Sequence, residues 1–553
     1  MEDLPEDEKE EKHVKEALVV LTAVESTDLD VKASVSDLIK NIEDISKQVG
    51  TKNVVLYPYA HLSKNLGSPK IAQEVLEKAQ KELTKKGYEV ARAPFGYYKE
   101  FELKVKGHPL SELSREIGNV VEGGKVIKVS EGDEKYDPKQ LLREISKSKL
   151  DTSKLKDNDH RILGRQMDLF SFNEVAPGMV FWHDRGVTIR NELIGFMRDL
   201  LRERGYEEVL TPQIMDNKIW KISGHWDKYK ENNFSTKYEG RDFLIKPMNC
   251  PGGLLIFKSS PKSYKDLPLK AGEFGIVHRQ ELSGVLGGLF RVIQFTQDDA
   301  HVFCTEKQLE GELMKLIDLV DVVYSQFGFK YKIELSTRPE KRIGSDGVWD
   351  KAEDALKKVL DRRKVKYKIN KGDGAFYGPK IDFHLTDSLK RTWQCGTIQV
   401  DFSMPERFEL EYTDKDNKKK RPIMIHRAIF GSLERFLGIL LEHTNGRLQT
   451  WLAPLQVRVL NFTDRNTNAA EKVVETLKKE IPNLRVDFDF SQRGIPAKVK
   501  EAEMVKVPYI LTIGDKEEKA KSVMVRKRGD RKLEEVKIDA FVKKLRKEIE
   551  DRI

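Results

Sequence analysis

Cysteine is scarce in this chain: Cys250, Cys304 and Cys395 are the only three among 553 residues. They are odd in number, far apart and free of any C-x-x-C pairing. That argues against a disulfide framework and leads us to expect a reducing, cytoplasmic setting. No apolar run approaches the ~20 residues needed to cross a bilayer, and the acidic start MEDLPEDEKEEKH does not read as an export signal. A one-sided charge excess is also missing. The 99 lysines and arginines face 90 acids, a net charge of only +9 in a chain that is 34% charged. Such a balance permits a polyanion partner without demanding one. There is no G-x-x-x-x-G-K-S/T loop, and GDGAFYG near 372 misses the dinucleotide glycine spacing, so neither standard phosphate cradle is in play.

At roughly 100 to 200 residues per domain, the length predicts about three domains. Residues 1–130 alternate short apolar runs (ALVVLTAV, NVVLYPYA) with helical patterns around Leu38, Ile42 and Ile45 and from Ile71 to Leu83, which is α/β layering. Residues 131–158 turn polar and read as a linker with one helical stretch. In 159–450, Ile189, Leu193, Met197, Leu200 and Leu201 form a helical stripe that ends at Gly205 and runs into the strand EEVLTP. A second strong helix is expected over Ser432 to His443. Residues 451–553 carry VRVLNF, RVDFDF, PYILTIG and VMVRK around helices, a compact α/β module. The expected fold class is therefore α/β and α+β multidomain.

Three central segments place polar residues where a buried site would need them: KPMNCPGG at 246–253, FTQDDAHVFC at 295–304 and PIMIHRAIFGSLERF at 422–436. Each supplies one atom of the kind zinc prefers, from Cys250, His301 and His426. Three protein ligands would leave a fourth position open for substrate. Taken singly, each has a blander reading, a small core cysteine or a hydrogen-bonded core histidine, and spacing this wide is not in itself a metal motif.

Whole strings say more. KPMNCPG, TQDDAH, YGPKID, WQCGT-Q-DF and H-R-A-x-x-G-S-x-E-R-F closely resemble the catalytic core of the threonyl-tRNA synthetases, over about residues 155 to 553. The three class II motifs follow in order: a dimer helix and strand ending at Pro212, the HRQE strand and loop, and the GSLER helix. The resemblance implies a catalytic core on an antiparallel sheet, one zinc ion per subunit on Cys250, His301 and His426, magnesium with ATP, L-threonine and threonine tRNA as substrates, and a homodimer. Arg279 would grip the α-phosphate and Glu281 the adenine. Arg291, Gln394 and Ser432 would join the ATP site, and Arg435 would stack on adenine and reach the γ-phosphate. Lys380 would line the catalytic site. Threonine would meet Asp299, Gln297, Tyr377 and Gln399. His225 in SGHWDKY matches a proposed base for transfer to the tRNA ribose; an aromatic-packed structural histidine is the competing reading. Gly253, Gly287 and the pair Ile293 and Gln294 depart from the commoner family pattern.

Serine carries the same amine and hydroxyl as threonine and lacks one methyl, a difference of only ~1 to 3 kcal/mol. A hydrolytic second site is therefore expected. Residues 13–125 resemble the archaeal editing domain related to D-aminoacyl-tRNA deacylases, through YPYAHLS, APFGYYK and KGHPLSELSR. That likeness implies a pocket of His61, Phe95, Tyr98, Lys99 and Glu112. Relatives usually begin with an additional β-strand, so we expect either a start further upstream or weakened editing. The last hundred residues resemble an anticodon-binding domain, with Glu517 and Arg526 at base-reading positions and Gln492 where bacterial relatives often place asparagine.

Overall fold

In a computed structural model, the described residues are 12–25, 28, 30–63, 66–97, 101–105, 115, 138–145, 155–226, 233–530 and 532–553. The chain divides into two compact units, residues 1–135 and 136–553.

The smaller unit has three parallel strands in the order β1 (Leu18–Thr22), β2 (Asn53–Pro58) and β3 (Glu89–Arg92). Helices α1 (Val31–Val49) and α2 (Pro69–Lys85) connect them. Both helices start where their sequence says they should: Asp30 accepts from the amides of Lys32 and Ala33, and Ser68 caps α2 with proline following. Leu38, Ile42, Leu76, Ala79 and Leu83 on the inward helix faces close over Val54 and Leu56.

The larger unit is built around an eight-stranded sheet. In chain order its principal elements are α3 (His160–Gln166), α4 (Asp184–Glu203), β4 (Glu207–Glu208), α5 (Cys250–Lys258), β5 (Leu269–His278) and β6 (Gln294–Cys304). They continue with α6 (Glu306–Gln326), β7 (Lys330–Ser336), β8 (Tyr367–Asn370), β9 (Lys380–Thr386), β10 (Thr392–Asp401), β11 (Ile423–Ser432) and α7 (Leu433–Thr444). The sheet runs β8-β7-β9-β10-β11-β6-β5-β4. Its six inner strands pair antiparallel, and a parallel strand closes each edge. The stripe read in the sequence lies on α4, where Ile189, Leu193, Met197 and Leu201 are buried, and Gly205 then turns the chain at φ +71°. Of EEVLTP, only Glu207 and Glu208 pair as strand; Leu210 exposes 77% of its surface.

Helices α4, α6 and α7 share one apolar core with the sheet, including Leu313, Val320, Ile381, Phe383, Ile425, Phe436 and Leu440. That cover leaves the opposite face of the inner strands for polar side chains. The C-terminal module of this unit holds a mixed sheet in the order Val486–Asp489, Val457–Asn461, Tyr509–Ile513, Ser522–Lys527, Leu533–Lys537. Arg485 of this module reaches Glu192 on α4 at 2.5 Å.

Candidate active site

Strand alternation assembles the site. Side chains two apart on a strand share a face, so Gln297, Asp299 and His301 of β6 point one way while Asp298, Ala300 and Val302 point the other. His301 stands directly opposite His426 of β11, His426 opposite Gln399 of β10, and Gln399 opposite Lys380 of β9. The two imidazoles meet edge to face with centroids 5.1 Å apart. Cys250 starts α5 and is buried in the same region, its thiol 4.0 Å from His225 Nε2.

The electrostatics of these groups suit soft ligands. Burial pushes the Cys250 thiol well above its ordinary range, and the Asp299 and Asp401 carboxylates add to that push. A nearby cation would be needed to hold the thiolate. Burial, followed by the neighbouring His426, drives His301 well below its usual value, so its ring stays neutral with a lone pair to offer. His301 Nε2 is a buried nitrogen without a hydrogen-bond partner, and the nearest carboxylate oxygen, on Asp299, is 3.8 Å away. His426 Nε2 sits 3.0 Å from Asp401 Oδ2, the carboxylate-to-histidine contact common behind metal ligands. The donor set therefore fits zinc in kind. The spacing is looser than a bound ion requires. Among the described residues, the one group of three acid, histidine or cysteine atoms all within 4.8 Å of one another is Asp159, His160 and Glu442.

Around this cluster, Tyr377 donates to Gln399 at 2.7 Å and its ring lies 5.1 Å from His426. Burial raises the Asp299 carboxyl, while Asn249 donates to it at 3.2 Å. His225 is fully buried, edge-on to Phe376, with Nδ1 2.8 Å from Ser223. Aromatic packing and thiol contact thus describe its place.

The expected nucleotide residues come from the connection between β5 and β6 (Arg279, Glu281, Arg291), from the strands (Lys380, Gln394, Ser432) and from α7 (Arg435). Arg279 sits over Phe295 at 5.2 Å and donates to the Pro247 carbonyl. Glu281 and Arg291 pair with each other at 2.8 Å. Arg435 stands over Trp393 at 5.8 Å, with its Nε buried and without a hydrogen-bond partner. Ser432 caps α7 by accepting from the Arg435 amide at 3.1 Å. Gln394 and Lys380 both bond to Asp382, which also takes Ser336 and Thr397.

Several residues that organise the site were missed in the sequence: Asn249, Asp298, Asp382, Asp401 and Arg427. Asp298 and Arg427 form a fully buried ion pair at 3.2 Å beneath the sheet, and Asp298 also accepts from the amides of Ile429 and Gly431. Burial lifts the Asp298 carboxyl to about 6 against the pull of Arg427. The acidic doublet in TQDDAH was the available signal, since alternation sends its two members to opposite faces.

In the smaller unit, His61 lies on a short turn with its ring 5.6 Å from Tyr59, and Phe95 packs on the core. Tyr98, Lys99 and Glu112 lie outside the described residues. In the C-terminal module, Glu517 accepts from the Gly514 amide at 2.9 Å, and Arg526 lies on the strand Ser522–Lys527, paired with Ile510 and Leu533.

Comparison with known proteins follows the same division. Residues 1–117 match the archaea-specific editing domain of threonyl-tRNA synthetase, 233–444 the class II tRNA synthetase core domain (G, H, P, S and T), and 456–548 an anticodon binding domain. A threonine-tRNA ligase of Clostridium tetani is 52% identical over 398 residues, 72% of this chain and 62% of that protein. One from Caldanaerobacter subterraneus is 51% identical over 426 residues, 76% of this chain and 66% of that protein. The chain thus spans a little under two thirds of these curated relatives. Among solved structures, the RNA binding domain of threonyl-tRNA synthetase from Cryptosporidium parvum superposes with a TM-score of 0.68 at 43% identity, covering 70% of this chain and 98% of that one.

Proposed function

Since the chain belongs to the threonyl-tRNA synthetase family, we propose that it activates L-threonine with ATP and magnesium, and transfers it to the 3′ end of threonine tRNA. The observation that carries this reading is the register that sets His301 against His426 on the face holding Asp299 and Gln399, beside the buried thiol of Cys250. Cys250, His301 and His426 would hold a zinc ion, which when bound supplies a Lewis-acidic position for the amine and β-hydroxyl of threonine. Asp299 is placed to take the amine or hydroxyl, and Tyr377 with Gln399 to order the remaining polar edge.

Selectivity follows from unsatisfied groups. A site that needs a hydroxyl rejects valine by roughly 10⁴- to 10⁵-fold. On the nucleotide side, Arg279, Arg291 and Arg435 would spread the charge developing on the phosphates as the carboxylate attacks, with Glu281, Gln394 and Ser432 framing the base and sugar. Lys380, held by Asp382, would line the same cavity. His225, beside the thiol, would serve transfer to the ribose. Serine evades the hydroxyl test, so the smaller unit would clear seryl-tRNA, with His61, Phe95, Tyr98, Lys99 and Glu112 as its pocket. Glu517 and Arg526 would read anticodon bases. The exposed Leu210 fits a homodimer contact, and no helix among the described residues is long and apolar enough to cross a membrane.

The test is ATP-pyrophosphate exchange on the purified chain with threonine, serine and valine, alongside zinc content. Threonine and serine should support exchange and valine should not, with one zinc per chain. Exchange that ignores the amino acid, or full activity in zinc-free protein, would overturn the reading. Lys99→Ala should keep exchange and lose hydrolysis of seryl-tRNA; unchanged hydrolysis would remove the editing assignment.

A further inference from the structure

We infer that His160 is a positioning residue for the nucleotide loop between Glu281 and Arg291, an inference that rests on the ATP site proposed above. His160 opens α3 and is 1% exposed. The backbone amide of Leu289, inside that loop, donates to His160 Nε2 at 2.9 Å. An amide only donates, so Nε2 carries the lone pair and the ring proton resides on Nδ1. That proton points to Glu442 Oε1, 2.7 Å away, the same oxygen that takes the His160 backbone amide at 3.1 Å.

The contact extends on both sides. The imidazole lies 4.2 Å from the Phe290 ring. Gly288 sits at φ +55°, and a Cβ there would fall 2.3 Å from His160 Nε2, so the loop must be bare where it crosses the ring. Glu442 belongs to α7, the helix that carries Arg435, and its other oxygen takes Arg391 at 2.6 Å. Arg391 lies over Trp393 at 5.0 Å, and Arg435 stands over the same ring at 5.8 Å. One continuous chain thus runs from the Arg435 guanidinium through Trp393, Arg391, Glu442 and His160 to the loop backbone.

Asp159, His160 and Glu442 are also close enough together to suggest a metal site. Each of the three side chains already has hydrogen-bond partners within the protein. Asp159 holds the Arg161 amide and both arms of its guanidinium at 2.8 to 2.9 Å, and both imidazole nitrogens are committed. The group is a hydrogen-bond relay that fixes where the loop returns.

Two variants separate this role from general support of the fold. His160→Asn keeps a donor toward Glu442 and is too short to accept from Leu289, whereas His160→Gln can place its amide oxygen near Nε2. In threonine-dependent pyrophosphate exchange, His160→Asn should raise KM for ATP about tenfold and leave KM for threonine and zinc content unchanged. His160→Gln should stay within about threefold of the parent. Hydrogen exchange at the Leu289 amide should quicken in the asparagine variant only. Equal effects of both variants, parallel rises in both KM values, or an unaltered ATP KM would overturn the inference. A parent chain without threonine-dependent exchange would defeat the proposed function instead, and calorimetric ATP titration of the same variants would then decide the His160 question.

Discussion

The central sheet and the small N-terminal sheet use strands in opposite ways. Strand β11 buries eight of its ten residues, His426 and Arg427 among them, whereas β1 buries none of its five. A strand buried along most of its length fixes its polar side chains by register, and each buried polar group then needs a partner. In the three-stranded sheet only Val54 and Leu56, both on β2, are buried. Of its proposed functional residues, the two that are described, His61 on a short turn and Phe95 against the core, both lie off the three strands.

The comparison can be broken most directly at Cys250. Cys250→Ala should remove stoichiometric zinc and lower threonine activation by about the 10⁴-fold that loss of a required polar ligand costs; metal analysis and pyrophosphate exchange on one preparation check both. Next comes the small unit. Leu76 is 1% exposed in its core, and Leu76→Ala should destabilise that unit by about 2 to 5 kcal/mol. Calorimetry should show its transition lowered while exchange activity stays within twofold. If activation collapses as well, the two sheets do not function independently. Asp401→Asn tests the partner requirement: with His426 no longer held by a carboxylate, zinc affinity should weaken about 10- to 100-fold, read by chelator competition.

The smallest effect concerns pH. Burial lifts the Glu434 carboxyl from 4.5 to about 6, against the bonds from the Thr296 amide and the Ser432 hydroxyl. Between those values the folded chain keeps a proton that the unfolded chain has released, so this group's contribution to stability falls as pH rises through the window. Glu434→Gln should remove that slope, gaining on the parent by about 2 kcal/mol at most from pH 4.5 to 6.5. Denaturant melts at the two ends measure it, and identical profiles for parent and variant would count against a buried titrating carboxylate.

How much could be read in advance follows the same contrast. The periodicity of α1, α2 and α4 was legible because each helix lays one stripe on one core. Gln297, Asp299 and His301 were found through the family likeness of TQDDAH, and strand alternation explains why the three share a face. Their supports were not legible. Asp401 lies on β10 while its partner His426 lies on β11, Asp382 gathers donors from three strands, and His160 meets Glu442 from 282 residues away. Nothing in local sequence marks which distant residue will satisfy a buried atom. The expectation of a full EEVLTP strand failed because ladder pairing with β5 ends after Glu208 and the Val209 amide, and Thr211 instead turns its amide and hydroxyl to the Glu273 carboxylate.

The irregularity in pairing between Gln297 and Asp299, where β6 meets β11, bears on how this region can vary through evolution. Substitutions along β6 leave the assignment of residues to its two faces in place. An inserted or deleted residue between that bulge and Cys304 would instead exchange the two faces, sending Val302 toward solvent chemistry and an imidazole into the oil beneath. Length, more than identity, is therefore the property of this strand that lineages should hold constant.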